Sequence, residues 1–380
     1  MTIAYISNFL NHHQMPVAEK LYELTEGHYR FIEQTPMPES FRKNGYPTYD
    51  DAPFLIQAWR TKEDASAAKR LILDADAVLF GNLEDYSIIR RRLRNNKLTF
   101  ECGERWFKRG WINIFSPRLI KSQLYYHLFF RNKPLYRLNA SAYAAKDMAC
   151  LRSFKDKMFK WGYFTQAHSI GRSYIDSHNN SRIKILWVAR FLDWKHPETP
   201  IKMAEVLQNK GYDFEINMYG SGPEYDKTAS MINNFGLSEN VKLCGNKPND
   251  EILREMRMHD IFLFTSDRHE GWGAVLNEAM SSGCAVVASN EIGAVPFLIE
   301  DGVNGLIYKS GNIDDLSNKV ERILNDRNLC RILGKNAMKT MHEIWSPANA
   351  AKSLLKLIDG INNGTPNIIP NGPCSTAHPI

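Results

Sequence analysis

Residues 260–290 read DIFLFTSDRHEGWGAVLNEAMSSGCAVVASN, and this stretch constrains the chain more than any other. Ile261-Phe262-Leu263-Phe264 is a short apolar run bounded by polar residues, the pattern of a strand buried on both faces of a parallel sheet. A polar turn with Gly271 and Gly273 follows, then good helix formers from Ala274 to Ser282 and a glycine stop at Gly283. Ala285-Val286-Val287-Ala288 is a second apolar run. The unit is therefore strand–turn–helix–strand, with Glu270 in the turn and Glu278 in the helix, separated by seven residues.

Such a unit has a specific chemistry. A glycine-bearing turn lets the backbone N–H groups of Gly273, Ala274 and Val275 face an anion at a helix N-terminus. Glu278 is placed to accept hydrogen bonds from a diol such as a ribose, and Glu270 to reach the other end of the same ligand. A phosphate with a hydroxylated ring on each side describes a nucleotide sugar. The bland alternative is a Rossmann-like helix with incidental surface glutamates.

The string resembles the Glu-x7-Glu motif of the retaining glycosyltransferases of family 4, which have the GT-B fold. Ser281-Ser282-Gly283-Cys284-Ala285-Val286-Val287-Ala288 and Glu300-Asp301-Gly302-Val303-Asn304-Gly305-Leu306 extend the resemblance, which covers residues 183–358. It implies an α/β protein of two Rossmann-like domains facing across a cleft, with the C-terminal helix crossing back to the first domain. It also implies front-face attack on the anomeric carbon, the departing phosphate taking the acceptor's proton.

Two further segments fit that family. Ile183 to Arg190 is a buried-strand pattern ending in arginine, and Lys195 follows five residues later, just before Pro197 opens a helix. Two cations at a strand's carboxyl end can clamp a diphosphate. The family has its diphosphate-binding Arg and Lys here, so the resemblance carries those roles to Arg190 and Lys195. Gly220-Ser221-Gly222-Pro223, after an apolar run, is a turn whose backbone could approach a phosphate or sugar, and Gly245 stands where relatives lay backbone against the base. The resemblance thus implies catalytic roles for Arg190, Lys195 and Glu270, and donor contacts at Gly222, Gly245, Gly271, Gly273, Ala274, Val275 and Glu278. One departure is Ile292-Gly293-Ala294-Val295-Pro296-Phe297 where relatives have Gly-Gly-x-Pro-Glu, which leaves sugar selectivity open. No acidic pair or histidine cluster suggests a metal site, and no cofactor beyond the donor is expected.

At 380 residues the chain suits two domains. We place the first at 1–165, a linker at 166–182, the second at 183–345, a helix over 346–359 returning to the first, and a frayed Gly/Pro/Asn-rich tail at 360–380. With 43% hydrophobic and 24% charged residues the composition is that of a globular protein, and no apolar run reaches a membrane span. The N-terminus lacks a signal-peptide pattern, and six cysteines without CxxC spacing point to a reducing cytoplasm.

In the first domain the pattern predicts strands at 3–7, 29–33, 54–59, 77–81 and 98–101, alternating with helices, then a last strand within 157–164. The turn after the first strand carries His12 and His13, candidates for contact with acceptor or phosphate, where the family usually has a glycine-rich loop. In several relatives a strand end with a similar Thr-Phe is followed by a histidine near the donor sugar. Here Glu101 follows Thr99-Phe100, either orienting the acceptor, with Arg105 as a further acceptor candidate, or simply paired with Arg105.

The formal net charge of +6 is unevenly spread. Between Tyr86 and Arg137 stand thirteen Lys or Arg against Glu101 and Glu104. Interleaved with aromatics over 90–137, these cations suit an anionic membrane surface or a lipid-linked acceptor, at the inner face of the cell membrane. A core-facing helix with a solvated basic side is the alternative. No nucleic-acid-binding motif accompanies them.

The expected function is transfer of a hexose-type sugar from a UDP or GDP sugar to a glycan or lipid-linked acceptor in surface polysaccharide synthesis. The rivals are a nucleotide-sugar epimerase or hydrolase of the same fold, and a non-catalytic sugar-nucleotide-binding partner.

Overall fold

The computed structural model describes residues 1–43, 46–81, 83, 85–108, 110–166, 182–365 and 369–380. The chain divides into two compact units, Met1–Gln166 with Ile344–Ile380, and Ala167–Glu343. The interior of the proposed linker, 167–181, lies outside the described residues.

In the first unit the strands are β1 (Ile3–Ser7), β2 (Tyr29–Glu33), β3 (Leu55–Gln57), β4 (Ala77–Phe80), β5 (Leu98–Gly103), β6 (Leu135–Asn139) and β7 (Met158–Lys160). They form one parallel sheet in the order β3-β2-β1-β4-β5-β6-β7. The apolar run of β4 is buried throughout, as a central strand covered on both faces requires. In the second unit β8 (Ile183–Val188), β9 (Phe214–Tyr219), β10 (Val241–Gly245), β11 (Ile261–Phe264), β12 (Ala285–Ser289) and β13 (Leu306–Tyr308) make a parallel sheet in the order β10-β9-β8-β11-β12-β13. Both orders reverse direction beside the first strand of the unit, so each sheet has a switch point where loops at the carboxyl ends diverge and a ligand can enter.

Ser346 caps the last long helix, Pro347–Asn362, by accepting from the N–H of Asn349 at 3.2 Å, and Pro347 occupies the first turn. That helix packs on the helix Met15–Leu24 of the first unit.

Three expectations are corrected. β6 has no counterpart in the predicted strands, because Arg137 interrupts its apolar pattern. The tail expected to fray is instead held along β7: the N–H of Cys374 donates to Lys160 O at 2.7 Å, that of Lys160 to Ser375 O at 2.8 Å, and that of Ala377 to Met158 O at 2.9 Å. Unpaired groups of an edge strand supply the reason. The basic region is also less of a surface than its sequence suggests. Arg92 is wholly buried, donating to the carbonyls of Ile72, Asp76 and Leu98 and to Thr99 Oγ1. Arg137 is wholly buried too, and the Arg105 side chain nearly so.

Candidate functional site

The site-forming part of the second unit is the set of loops after β8, β9 and β11. Trp187, in β8, donates through Nε1 to Thr265 Oγ1 at 2.8 Å. Thr265 in turn donates to Lys195 O at 2.7 Å, and the N–H of Asp267 to Trp194 O at 3.1 Å. These bonds stitch the short turn Asp193–Lys195 to the loop that carries Glu270.

Lys195 and Glu270 meet within that frame. Lys195 Nζ contacts Glu270 Oε2, the two side chains being 11% and 12% exposed. Ser266 Oγ donates to the same carboxylate oxygen at 3.0 Å, and the Lys195 ammonium lies 4.3 Å from the Trp194 ring centroid. Two of the three predicted catalytic residues are thus in contact. Arg190, the third, is exposed and forms no ion pair with the described residues.

The Arg190 turn is braced by the glycine turn after β9. A Cβ on Gly220 would meet Ala189 O at 1.9 Å, and one on Gly222 would meet Phe191 O at 2.4 Å. The N–H of Phe191 donates to Ser221 O at 2.9 Å, and that of Glu224 to Phe191 O at 3.0 Å. These glycines are therefore required first by backbone packing around Arg190. Gly273 (φ +87°) is required likewise, since a Cβ there would lie 2.3 Å from Phe264 Cζ and 3.1 Å from Glu270 Cγ. Gly245 (φ +69°) has open space beside it and accepts from Gly220 N–H at 2.8 Å. Gly271 is buried, whereas Gly273, Ala274 and Val275 are half-buried at the entrance of the helix Val275–Ser281.

Glu278, inside that short helix, is buried, and its carboxyl is pushed up to about 7 by desolvation, against a long 3.5 Å hydrogen bond from Asn249 Nδ2. A second charged group sits beside Lys195. His196 (φ +52°) approaches Glu198 Oε1 at 3.0 Å through Nδ1 and Asp267 Oδ2 at 3.4 Å through Nε2. Hydrogen bonds to Asp267 and Glu198 raise its pKa to about 9. Asp267 is held at about 2 despite its burial, by bonds from His196 and His269. Ser266, His196, Asp267 and Asn249 were not singled out in the sequence, for none belongs to a recognisable spacing. The position of Ser266 just beyond a buried strand is the one signal that could have marked it.

In the first unit His12 and His13 follow β1, their ring centroids 3.7 Å apart. His13 stacks on Tyr163 at 5.6 Å, with an interplanar angle of 2°, and His12 lies 4.9 Å from Tyr46. Burial lowers His12, and burial together with His12 lowers His13 to about 3, so both rings are neutral near pH 7. Neutral imidazoles suit a hydroxyl better than a phosphate.

Glu101 is not paired with Arg105. Its Oε2 lies 2.6 Å from Arg137 Nη1, because Glu101 and Arg137 are register partners on the adjacent strands β5 and β6. Arg105 approaches Asp147 Oδ1 at 3.5 Å and lies over the Tyr143 ring at 5.1 Å. Among the described residues no group of three or more His, Cys, Asp or Glu is arranged to hold a metal.

The comparisons with known proteins bear on the family and the fold. A family model described as glycosyl transferases group 1 matches residues 175–340. An uncharacterized glycosyltransferase of Methanocaldococcus jannaschii is 33% identical over 139 residues, covering 36% of this chain and 39% of that protein. The poly(ribitol-phosphate) alpha-N-acetylglucosaminyltransferase of Staphylococcus aureus is 27% identical over 173 residues, covering 45% and 34%. The alignments thus span less than half the length of these curated relatives. The crystal structure of Anabaena HepE in complex with UDP covers 95% of this chain and 100% of its own, with a TM-score of 0.72 and 14% identity. Residues 175–340 thus match the glycosyl transferases group 1 family, in a chain with the GT-B fold.

Proposed function

We propose that the chain is a retaining glycosyltransferase that moves a hexose-type sugar from a UDP or GDP sugar to a glycan or lipid-linked acceptor during surface polysaccharide synthesis. The observation that carries this reading is the contact with Glu270 of Lys195, five residues after Arg190, which is exposed and has no ion pair among the described residues. A cation already held by one carboxylate can exchange it for a diphosphate without moving far, while Arg190 brings a second positive charge from a rigidly braced turn. Glu270 is then freed to accept from sugar hydroxyls, and the buried carboxylate of Glu278 from a ribose diol. The family match over the second unit and the UDP-bound neighbour support the donor class. The named S. aureus relative supports a surface polymer as product.

In this mechanism the acceptor oxygen attacks the anomeric carbon from the face the phosphate leaves, and its proton passes to a phosphate oxygen. Arg190 and Lys195 stabilise the charge that grows on the departing diphosphate. They supply that charge without a metal ion, so transfer should survive chelation with EDTA. His12 and His13 are the residues of the first unit offered to the acceptor.

The test is incubation with a panel of UDP, GDP and ADP sugars, with and without lipid-linked acceptors, followed by product analysis. An elongated acceptor with retained anomeric configuration is expected. Epimerised or hydrolysed donor in the absence of any transfer, or binding without turnover, would replace the reading with one of its rivals.

A further inference from the structure

The first unit contains a cavity of about 520 Å³ unrelated to His12 and His13. About half of its lining is apolar, contributed mainly by Phe80, Ile89, Leu93, Phe130 and Leu135. Its polar lining is unbalanced: Arg90 and Lys121 against Asp85, with Ser122 and Tyr125 beside them. Arg90 is held in place, its Nη1 donating to Tyr125 Oη at 2.7 Å while its guanidinium lies over the Tyr125 ring at 5.2 Å. The volume is that of a site for a small molecule.

The helical segment that supplies Lys121, Ser122 and Tyr125 has a second face. Ile120, Leu124 and Leu128 recur at four-residue spacing along Pro117–Leu124 and its π-helical continuation Tyr125–Phe129, and all three are exposed. Leu128 is 54% exposed and Phe129 67%. Four-residue spacing puts the three on one stripe, so a continuous apolar face meets solvent next to the rim of a cavity with a partly apolar lining. Contiguous exposed apolar surface of this kind marks a contact with lipid or protein. The widened helical turn at its end is a distortion frequently found at functional sites.

We propose that this cavity takes the hydrocarbon chain of an anionic membrane amphiphile, with its phosphate at Arg90 and Lys121 and the stripe of Ile120, Leu124 and Leu128 resting in the lipid surface. The assignment rests on the glycosyltransferase reading and names the class of acceptor: an isoprenoid or acyl phosphate carrying the sugar to be extended. Charge complementarity at the rim selects the anion, and the adjoining apolar stripe selects a membrane as its source. With Arg92, Arg105 and Arg137 engaged inside the fold, attraction to the membrane rests on apolar insertion more than on a polybasic surface.

Titration calorimetry of the full chain with dodecyl phosphate, dodecanol and inorganic phosphate separates chain from head group. Dodecyl phosphate should bind in a 1:1 ratio and at least about tenfold more tightly than either fragment, a gain of about 1.4 kcal/mol. Ser122→Trp, which fills the cavity, should weaken that binding at least about tenfold, and Arg90→Gln with Lys121→Gln should reduce it to the level of dodecanol. Flotation with phosphatidylglycerol vesicles should persist at about 1 M salt, where the Debye length is about 3 Å, and be lost in Leu128→Gln with Phe129→Gln. Wild-type affinity in a correctly folded Ser122→Trp variant overturns the proposal, as does inorganic phosphate binding as tightly as dodecyl phosphate. So does a stripe that serves only to join two copies of the chain. UDP binding measured on the same samples reports on the second unit alone, so its loss with dodecyl phosphate binding intact counts against the donor reading and not against this one.

Discussion

Arg137 with Glu101 in the first unit and Lys195 with Glu270 in the second are the same interaction in outline, and their surroundings set them apart. Arg137 is wholly buried on β6, level with Glu101 on the neighbouring β5. Besides Glu101 it donates to Asn139 Oδ1 and Glu104 O, both at 3.0 Å, and it lies 5.8 Å from the ring centroids of Trp106 and Phe154. Lys195 sits at the carboxyl ends of the strands, slightly open to solvent, and an ammonium is a compact charge on a flexible stem rather than a fixed planar fork. A buried, saturated guanidinium within a sheet can only hold the fold. A lysine at a loop, with its carboxylate also held by Ser266, can change partners when an anion arrives.

The largest effect should therefore come from Arg137→Met. It leaves the Glu101 carboxylate buried and unpaired, and denaturant titration should show a loss of about 3–5 kcal/mol. A loss under about 1 kcal/mol would erase the contrast drawn here. Lys195→Ala should do the opposite: stability falls by no more than about 2 kcal/mol, while turnover drops on the order of 10²-fold or more. Arg190→Ala should lower turnover similarly with stability unchanged, and in both variants turnover should suffer more than donor affinity. Full turnover in either folded variant removes the diphosphate role.

The two glutamates sharpen the comparison within the second unit. Glu278→Gln should weaken binding of a bare nucleoside diphosphate, whereas Glu270→Gln should spare it and damage transfer. The reverse pattern would mean that the ligand runs the other way. Burial raises Glu278 to about 7, above its usual 4.5, so the folded state favours the protonated form, and stability at this position is lost as pH rises through that interval. A ribose diol donates to the ionised form. Affinity for a nucleotide sugar should then rise with pH by up to about tenfold per unit and level off above about 7. Calorimetry across that range should show the slope in the wild type and a flat profile in Glu278→Gln.

The smallest effect is expected at His196. Its folded pKa of about 9 stands above the usual 6.5, so its contribution to stability is complete below 6.5 and disappears as pH rises through 9. Melting temperatures of the wild type should show that alkaline decline, and those of His196→Gln should lack it. Identical profiles would mean that the imidazolium does not tie Asp267 and Glu198 together.

Much of the second unit is readable in sequence because its strands are uninterrupted apolar runs with glycines at the turns. Ile261–Phe264 and Ala285–Ser289 fall where the pattern puts them, and the order of Arg190, Lys195, Glu270 and Glu278 follows from strand ends. What the sequence hides is pairing between distant elements. Arg137 looks like a surface charge until Glu101 lies beside it, so β6 is overlooked, and with it the partner of Glu101. Arg92 likewise counts toward a basic surface until its carbonyl partners surround it. The Lys195–Glu270 contact spans seventy-five residues, and no local pattern encodes it.

The C-terminal strip over β7 has a practical consequence. By occupying hydrogen-bonding groups of the sheet's last strand, residues 374–377 deny that strand to other chains. Trimming the protein back to the end of its long helix would bare Met158–Lys160 as a template for strand addition, and the shortened protein would be prone to self-associate through it.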